Sequence, residues 1–176
     1  MRRQNLCKRA VMIALAAAMT ISVAACGTNG FRPMYAASPD GTNLNDRLKR
    51  VRITTIPGRV GQMIRNELLF QTRGGGRGET PNLQLDIAVR EKELSTLVNR
   101  EGDSLSRVYT LTATFQLIDL KTRKTVLKGK SFGRAGYERF KSIFSNVRAQ
   151  KDAKRRSALV VARDIKSRLE AFLAEG

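Results

Sequence analysis

The chain of 176 residues has no histidine, only two cysteines, and fewer than half as many acidic residues as basic ones, 15 Asp and Glu against 33 Lys and Arg. The missing histidine removes His-built metal sites and every triad with an imidazole base. Cys7 falls in an N-terminal segment read below as removed, so Cys26 has no intramolecular disulfide partner and no Cys-built metal site can form. Carboxylate pairs remain as a route to acid–base chemistry. Glu91/Glu93, Glu101/Asp103 and Asp152, however, sit among Lys and Arg in stretches that read as loop or helix surface. No nucleophile has a visible base, so the expectation is a binding or scaffolding protein, not an enzyme, with no metal and no cofactor.

Long apolar runs are also lacking. About 16 residues separate Arg9 from Cys26, whereas a bilayer core needs about 20. The segment instead has the parts of an export signal: a positive head (Arg2, Arg3, Lys8, Arg9), an apolar middle (Ala10 to Ile21) and a small-residue exit (Val23-Ala24-Ala25). Residues 1–25 are therefore expected to be a lipoprotein signal peptide. Ordinary signal peptidase could accept Val23 and Ala25, leaving Cys26 an incidental N-terminal thiol. Val-Ala-Ala-Cys also resembles the bacterial lipobox, in which the cysteine sulfur is diacylated and its freed amine acylated. The lipobox is favoured, because an unpaired thiol on an exported chain demands an explanation. Two or three acyl chains, each methylene adding about 0.8 kcal/mol, make attachment effectively permanent. Gly27 in place of Asp after the cysteine resembles a lipoprotein released to the outer membrane.

Without Arg2, Arg3, Lys8 and Arg9, the remaining chain carries 29 basic against 15 acidic residues, a charge of +14. Such a charge favours a polyanionic partner. Export argues against nucleic acid and leaves lipid A phosphates, acidic sugars, anionic phospholipid or an acidic protein surface. Simple solubility, or the arginine-rich usage of a GC-rich genome, accounts for the charge as well as any binding role does.

The remaining length, about 150 residues, suits one domain. Gly27 to Asn45 reads as an extended leader, with Phe31, Pro33, Met34 and Tyr35 packing part of it on the domain. Lys49 to Ile56 alternates as a strand. Val60, Ile64 and Leu68 predict a helix over Arg59 to Gln71, stopped by Gly74-Gly75-Gly76-Arg77-Gly78. Those glycines leave a helix and no Gly-Lys-Ser/Thr follows, so a phosphate-cradling loop is not expected. Leu83, Leu85, Ile87 and Val89 alternate as a second strand. Residues 91 to 104 are charge-rich, with a turn at Arg100-Glu101-Gly102-Asp103. Val108 to Ile118 predicts a third strand, with Tyr109, Leu111, Ala113, Phe115 and Leu117 on one side. Thr125 to Phe132 pairs back as a hairpin. Ala158, Val161, Ala162, Ile165, Leu169 and Phe172 predict a last helix of more than six turns, capped by Ser145 or Asn146. Its Lys151, Lys154, Arg155 and Arg156 read first as a solvated face.

The expected fold class is α+β: a two-layer sandwich with a small, mainly antiparallel four-stranded sheet covered on one face by two helices, in the order β-α-β-β-β-α. Pairing of the first strand across the helical crossover would make the sheet mixed. The expected division is a signal peptide at 1–25, a lipidated tether at 26–46 and one globular domain at 47–174.

The lipobox, Phe31-Arg32-Pro33-Met34-Tyr35 after it, Ile56-Pro57-Gly58-Arg59-Val60-Gly61-Gln62 leading into Arg65-Asn66-Glu67-Leu68, and Phe144-Ser145-Asn146-Val147-Arg148-Ala149 before the last helix together resemble the LPS-assembly lipoprotein LptE family in its alphaproteobacterial form. One departure is that Thr28-Asn29-Gly30 intervene between the cysteine and the aromatic segment. The resemblance implies an outer-membrane lipoprotein that plugs the lumen of the LptD β-barrel, helps it assemble and contacts lipopolysaccharide, facing the periplasm. It implies N-acyl and S-diacylglycerol lipid on Cys26, and lipopolysaccharide contacts at Arg100 and Lys130, with Arg107 and Lys128 beside them. The competing expectation is a lipid-anchored subunit of another envelope machine, such as a secretin pilot or a cell-wall anchor.

Overall fold

The computed structural model describes residues 43–74, 76, 79–98 and 104–175. Cys26, the expected signal peptide at 1–25, the expected leader up to residue 42 and Arg100 lie outside them. The elements run α1 (Leu44–Lys49), β1 (Val51–Ile53), α2 (Gly58–Arg73), β2 (Leu83–Val98), β3 (Ser104–Asp119), β4 (Thr125–Glu138) and α3 (Ile143–Glu175).

The four strands form one sheet in sequence order, β1-β2-β3-β4. β1 pairs parallel to β2 across α2, and the other two pairs are antiparallel, so the sheet is mixed as the crossover required. Alternation sorts its residues. Leu85 and Ile87 of β2, Tyr109, Leu111, Ala113, Phe115 and Leu117 of β3, and Ala135 of β4 are buried on one side. Against them pack Val60, Ile64 and Leu68 of α2 and Ala158, Val161, Ile165 and Leu169 of α3, all within one core cluster. Each set follows the helical spacing that brings residues three and four apart onto one face. The result is an α+β fold with helices over one face and the other face open.

Four local expectations need correction. Leu44 to Lys49 is a helical turn, not leader and strand start, because Leu44 and Leu48 are one turn apart and both buried. This shortens β1 to three residues, although Thr54 still donates its backbone N–H to the Leu85 carbonyl at 3.1 Å. Residues 91–98 are strand, not loop. Their charges look inward as well as outward, and α3 supplies partners: Lys154 meets Glu91 at 3.0 Å, and Gln150 donates to Glu93 at 2.9 Å. β4 runs on through Gly133 and Gly136 to Glu138, beyond the expected end at Phe132. Finally, α3 begins at Ile143. Ser142 precedes it, its Oγ accepting from the Ser145 N–H at 3.4 Å, while the Asn146 amide clasps Phe140 by both its N–H (2.6 Å) and its carbonyl (2.7 Å).

Small residues set the distance between α3 and the sheet. Ser131 and Ala135 of β4 face Ala153, Ser157 and Ala158 of α3, all buried. At Gly133 the approach is closest: an added Cβ would lie 2.4 Å from the Ser157 carbonyl oxygen. Gly74 ends α2 in the left-handed conformation (φ 57°), donating its N–H to the Phe70 carbonyl at 2.8 Å, as a glycine after a helix does.

Candidate functional site

On the open face, the register of β2, β3 and β4 aligns side chains in rows. Successive rows run Asp86–Gln116–Lys128, Ala88–Thr114–Lys130, Arg90–Thr112–Phe132, Lys92–Thr110–Arg134 and Leu94–Val108–Gly136. Neighbouring strands are about 4.8 Å apart and same-face residues along a strand about 7 Å. Lys130, Arg90, Lys92 and Arg134 thus occupy three consecutive rows that hold no carboxylate. Asp86 lies one row beyond them, and Glu138, beside Ser106, closes the far end. Neither these four cations nor Lys128 makes an ion pair among the described residues, whereas on the helical face Arg107, Lys154, Arg156, Lys166 and Arg168 are paired. Hydroxyls of Thr110, Thr112 and Thr114 run up the middle.

Apolar surface is interleaved with this charge. Phe132 is 61% exposed and Leu94 50%. Beside Lys128, a shallow cavity of roughly 330 Å³ opens between Thr54, Asp86, Ala88, Thr114 and Gln116. Arg52 continues the basic surface onto β1, where its guanidinium donates to the Gln84 side-chain oxygen at 2.6 Å.

The structure therefore brings Lys128 and Lys130 together, two residues apart on one strand and one face. Arg107 goes to the opposite face. There its guanidinium pairs with Glu93 at 3.1 Å, and Glu93 also accepts from the Tyr137 hydroxyl and from Gln150. Burial pushes the Glu93 carboxyl up, but the hydrogen bonds from Tyr137, Gln150 and Arg107 outweigh it and hold the group below its usual value. Nearby, burial first and Glu91 second push the Tyr109 phenol up, and the Lys154 ammonium sits 5.5 Å from the centre of its ring. This second cluster ties β2, β3, β4 and α3 together at one end of the sheet.

Arg90, Lys92 and Arg134 had not been singled out from the sequence as contact residues. The signal was the alternation itself: Arg90 falls on the side opposite Leu85, Ile87 and Val89, and continuing that parity through 91–98 would have added Lys92. Arg134 was hidden by glycines taken as the end of β4. No group of three or more His, Cys, Asp or Glu that could hold a metal occurs among the described residues, and none of their helices is long and apolar enough to cross a membrane.

No family model matches the chain, and no curated protein matches it. Solved structures do share its fold. A candidate lipoprotein from Caulobacter crescentus aligns with a TM-score of 0.61 at 20% identity, covering 76% of this chain and 97% of that one. The rare lipoprotein B of Shewanella oneidensis aligns at 0.53 and 10% identity, over 69% and 93% of the two chains. A minor lipoprotein of Acinetobacter baumannii aligns at 0.51 and 17%, over 70% and 94%. At these identities the likeness is one of fold, and it covers nearly the whole of each of those chains.

Proposed function

We propose that the protein is an outer-membrane lipoprotein, anchored through Cys26, that plugs an LptD-like β-barrel and binds lipopolysaccharide on its way to the outer leaflet. The observation that carries this is the open sheet face: Lys130, Arg90, Lys92 and Arg134, without an ion pair among the described residues, stand on adjacent rows with Phe132 among them. A phosphorylated glycolipid offers phosphates for such cations, and charge-assisted hydrogen bonds from Lys and Arg are the strong kind. Phe132 and Leu94 add apolar contact that a simple polyanion would not use. The fold shared with three lipoproteins supports the envelope setting, and the export signal with Val23-Ala24-Ala25-Cys26 supports the lipid anchor. A polar, hydroxyl-rich sheet face also suits the lumen of a barrel, which is polar. The remaining paired cations of α3 are left to solubility.

The test is purification of C-terminally tagged protein from its native envelope in mild detergent, with partners identified and counted by mass spectrometry. One large β-barrel protein at equal stoichiometry, with lipopolysaccharide in the same fraction, is the expected result. A secretin, a cell-wall component or no stable partner would overturn it in favour of a different envelope machine.

A further inference from the structure

A second surface has no place in that function. The end of β4 and the first turns of α3 carry Phe140, Ile143, Phe144 and Val147, which are 50%, 82%, 74% and 43% exposed. At 3.6 residues per turn, Ile143, Val147 and Phe144 fall within about 100° of one another on the outer side of α3, and Lys151 and Arg148 share that side. Between residues 139 and 151 the chain has four cations, Arg139, Lys141, Arg148 and Lys151, and no acid. None of the four makes an ion pair among the described residues. Farther along the same helix the pattern reverses: Arg155 and Arg156 pair with Asp152, Arg168 with Asp164 and Lys166 with Glu170. Among the described residues the first turns of α3 thus hold cations without ion pairs around the exposed apolar end, while beyond them most of the cations are paired and Arg163 is the exception. The Asn146 clasp on Phe140 holds this end in shape.

We infer that this tip rests on an anionic phospholipid surface, with Ile143, Phe144 and Val147 dipping below the headgroups and the four cations meeting lipid phosphates. Large exposed apolar side chains ringed by Lys and Arg are the makeup of helices that lie in a membrane interface. Long basic side chains reach back from such a position to the charged layer. A cation ring of one sign, with no carboxylate inside it, complements acidic headgroups around an acyl interior.

The tip lies at the far end of α3 from α1, whose Arg47 guanidinium donates to the Leu173 carbonyl at 2.7 Å. The helix of 33 residues separates the two by about 50 Å. A bilayer contact here requires a membrane nearby and does not require the barrel.

The chain contains no tryptophan, so Phe144→Trp places the sole tryptophan, excited selectively above the tyrosine absorption, at an exposed position. The full chain, purified from the envelope, is reconstituted with vesicles of phosphatidylcholine alone or mixed with phosphatidylglycerol, with and without brominated acyl chains. Phe70→Trp on α2, at a site 67% exposed, serves as the control. On phosphatidylglycerol vesicles the Phe144→Trp emission is expected to move to shorter wavelength and to be quenched by brominated lipid, more than on phosphatidylcholine, while Phe70→Trp stays water-like. No shift and no quenching on phosphatidylglycerol, or a response equal to that of Phe70→Trp, would overturn the inference. So would a shift that appears only when envelope proteins are added, since that marks a protein partner. Any of these failures leaves the barrel proposal standing, because copurification reads a different contact.

Discussion

Replacing Gly133 by alanine tests the seam on which the two layers depend. The new Cβ would lie 2.4 Å from the Ser157 carbonyl oxygen and 3.1 Å from its Cα, where ordinary contact begins at 3.4 Å. To accept it, α3 must retreat by about 1 Å. Both offending atoms are backbone, so no side chain can swing aside, and the retreat loosens Ala153, Ala158 and Val161 along the same helix. Overpacking costs about 1–3 kcal/mol, and a clash with backbone belongs at the upper end. Removing glycine's freedom from the unfolded chain returns roughly 0.4–1 kcal/mol. The net expectation is a loss of about 2 kcal/mol. Gly136, three residues on, provides the control, since its added Cβ would meet nothing closer than the Arg107 carbonyl at 3.9 Å. In urea unfolding, with a slope of about 2 kcal/mol/M, Gly133→Ala should lower the midpoint by about 1 M, and Gly136→Ala should leave it unchanged or slightly raised. Equal midpoints for the two variants, at unchanged slope, would refute the account of the seam.

Three further outcomes are expected. Lys130→Asp, on an exposed side chain with no ion-pair partner among the described residues, should leave the urea midpoint unchanged and weaken lipopolysaccharide binding roughly tenfold or more, the scale of one charge-assisted hydrogen bond; binding unchanged across a salt titration would remove Lys130 from the site. Glu93 has a folded pKa below its unfolded value, so its contribution is fully present above the ordinary carboxylate range and is lost as pH falls through the folded value. Glu93→Gln should therefore be less stable than the parent near neutrality and show a shallower loss of stability below about pH 4.5, and parallel pH–stability curves would contradict this. Asn146→Ala removes two hydrogen bonds to Phe140 at the β4–α3 turn and should cost about 1–2 kcal/mol in thermal or urea unfolding; an unchanged midpoint would mean that the clasp contributes nothing.

Fold class was readable from the chain because each element buries a periodic apolar set. Alternation at Leu85–Ile87 and Tyr109–Leu117 identified strands, and spacing at Val60–Ile64–Leu68 and Ala158–Ile165–Leu169 identified helices, since both periods are local properties of the backbone. The misread stretches were those whose local signal conflicted with distant partners. Residues 91–98 looked like loop because their charges seemed to have nothing to face, and α3, more than fifty residues later, supplies Lys154 and Gln150. Gly133 looked like a strand end because its value lies in the absence of a side chain opposite Ser157. Leu44 and Leu48 were too few to outweigh the polar residues around them.

The candidate site divides in the same way. By itself the sequence determined the excess of positive charge, the lack of any histidine chemistry, and the parity that puts Lys128 and Lys130 on one side of a strand. Only the tertiary structure decided which cations lack an ion pair among the described residues: it set Arg90, Lys92, Lys130 and Arg134 on the uncovered face and turned Arg107 inward to Glu93 and Tyr137. Periodicity tells two faces of a strand apart, but the choice between them depends on where the helices pack, and that is settled by contacts between residues far apart in the chain.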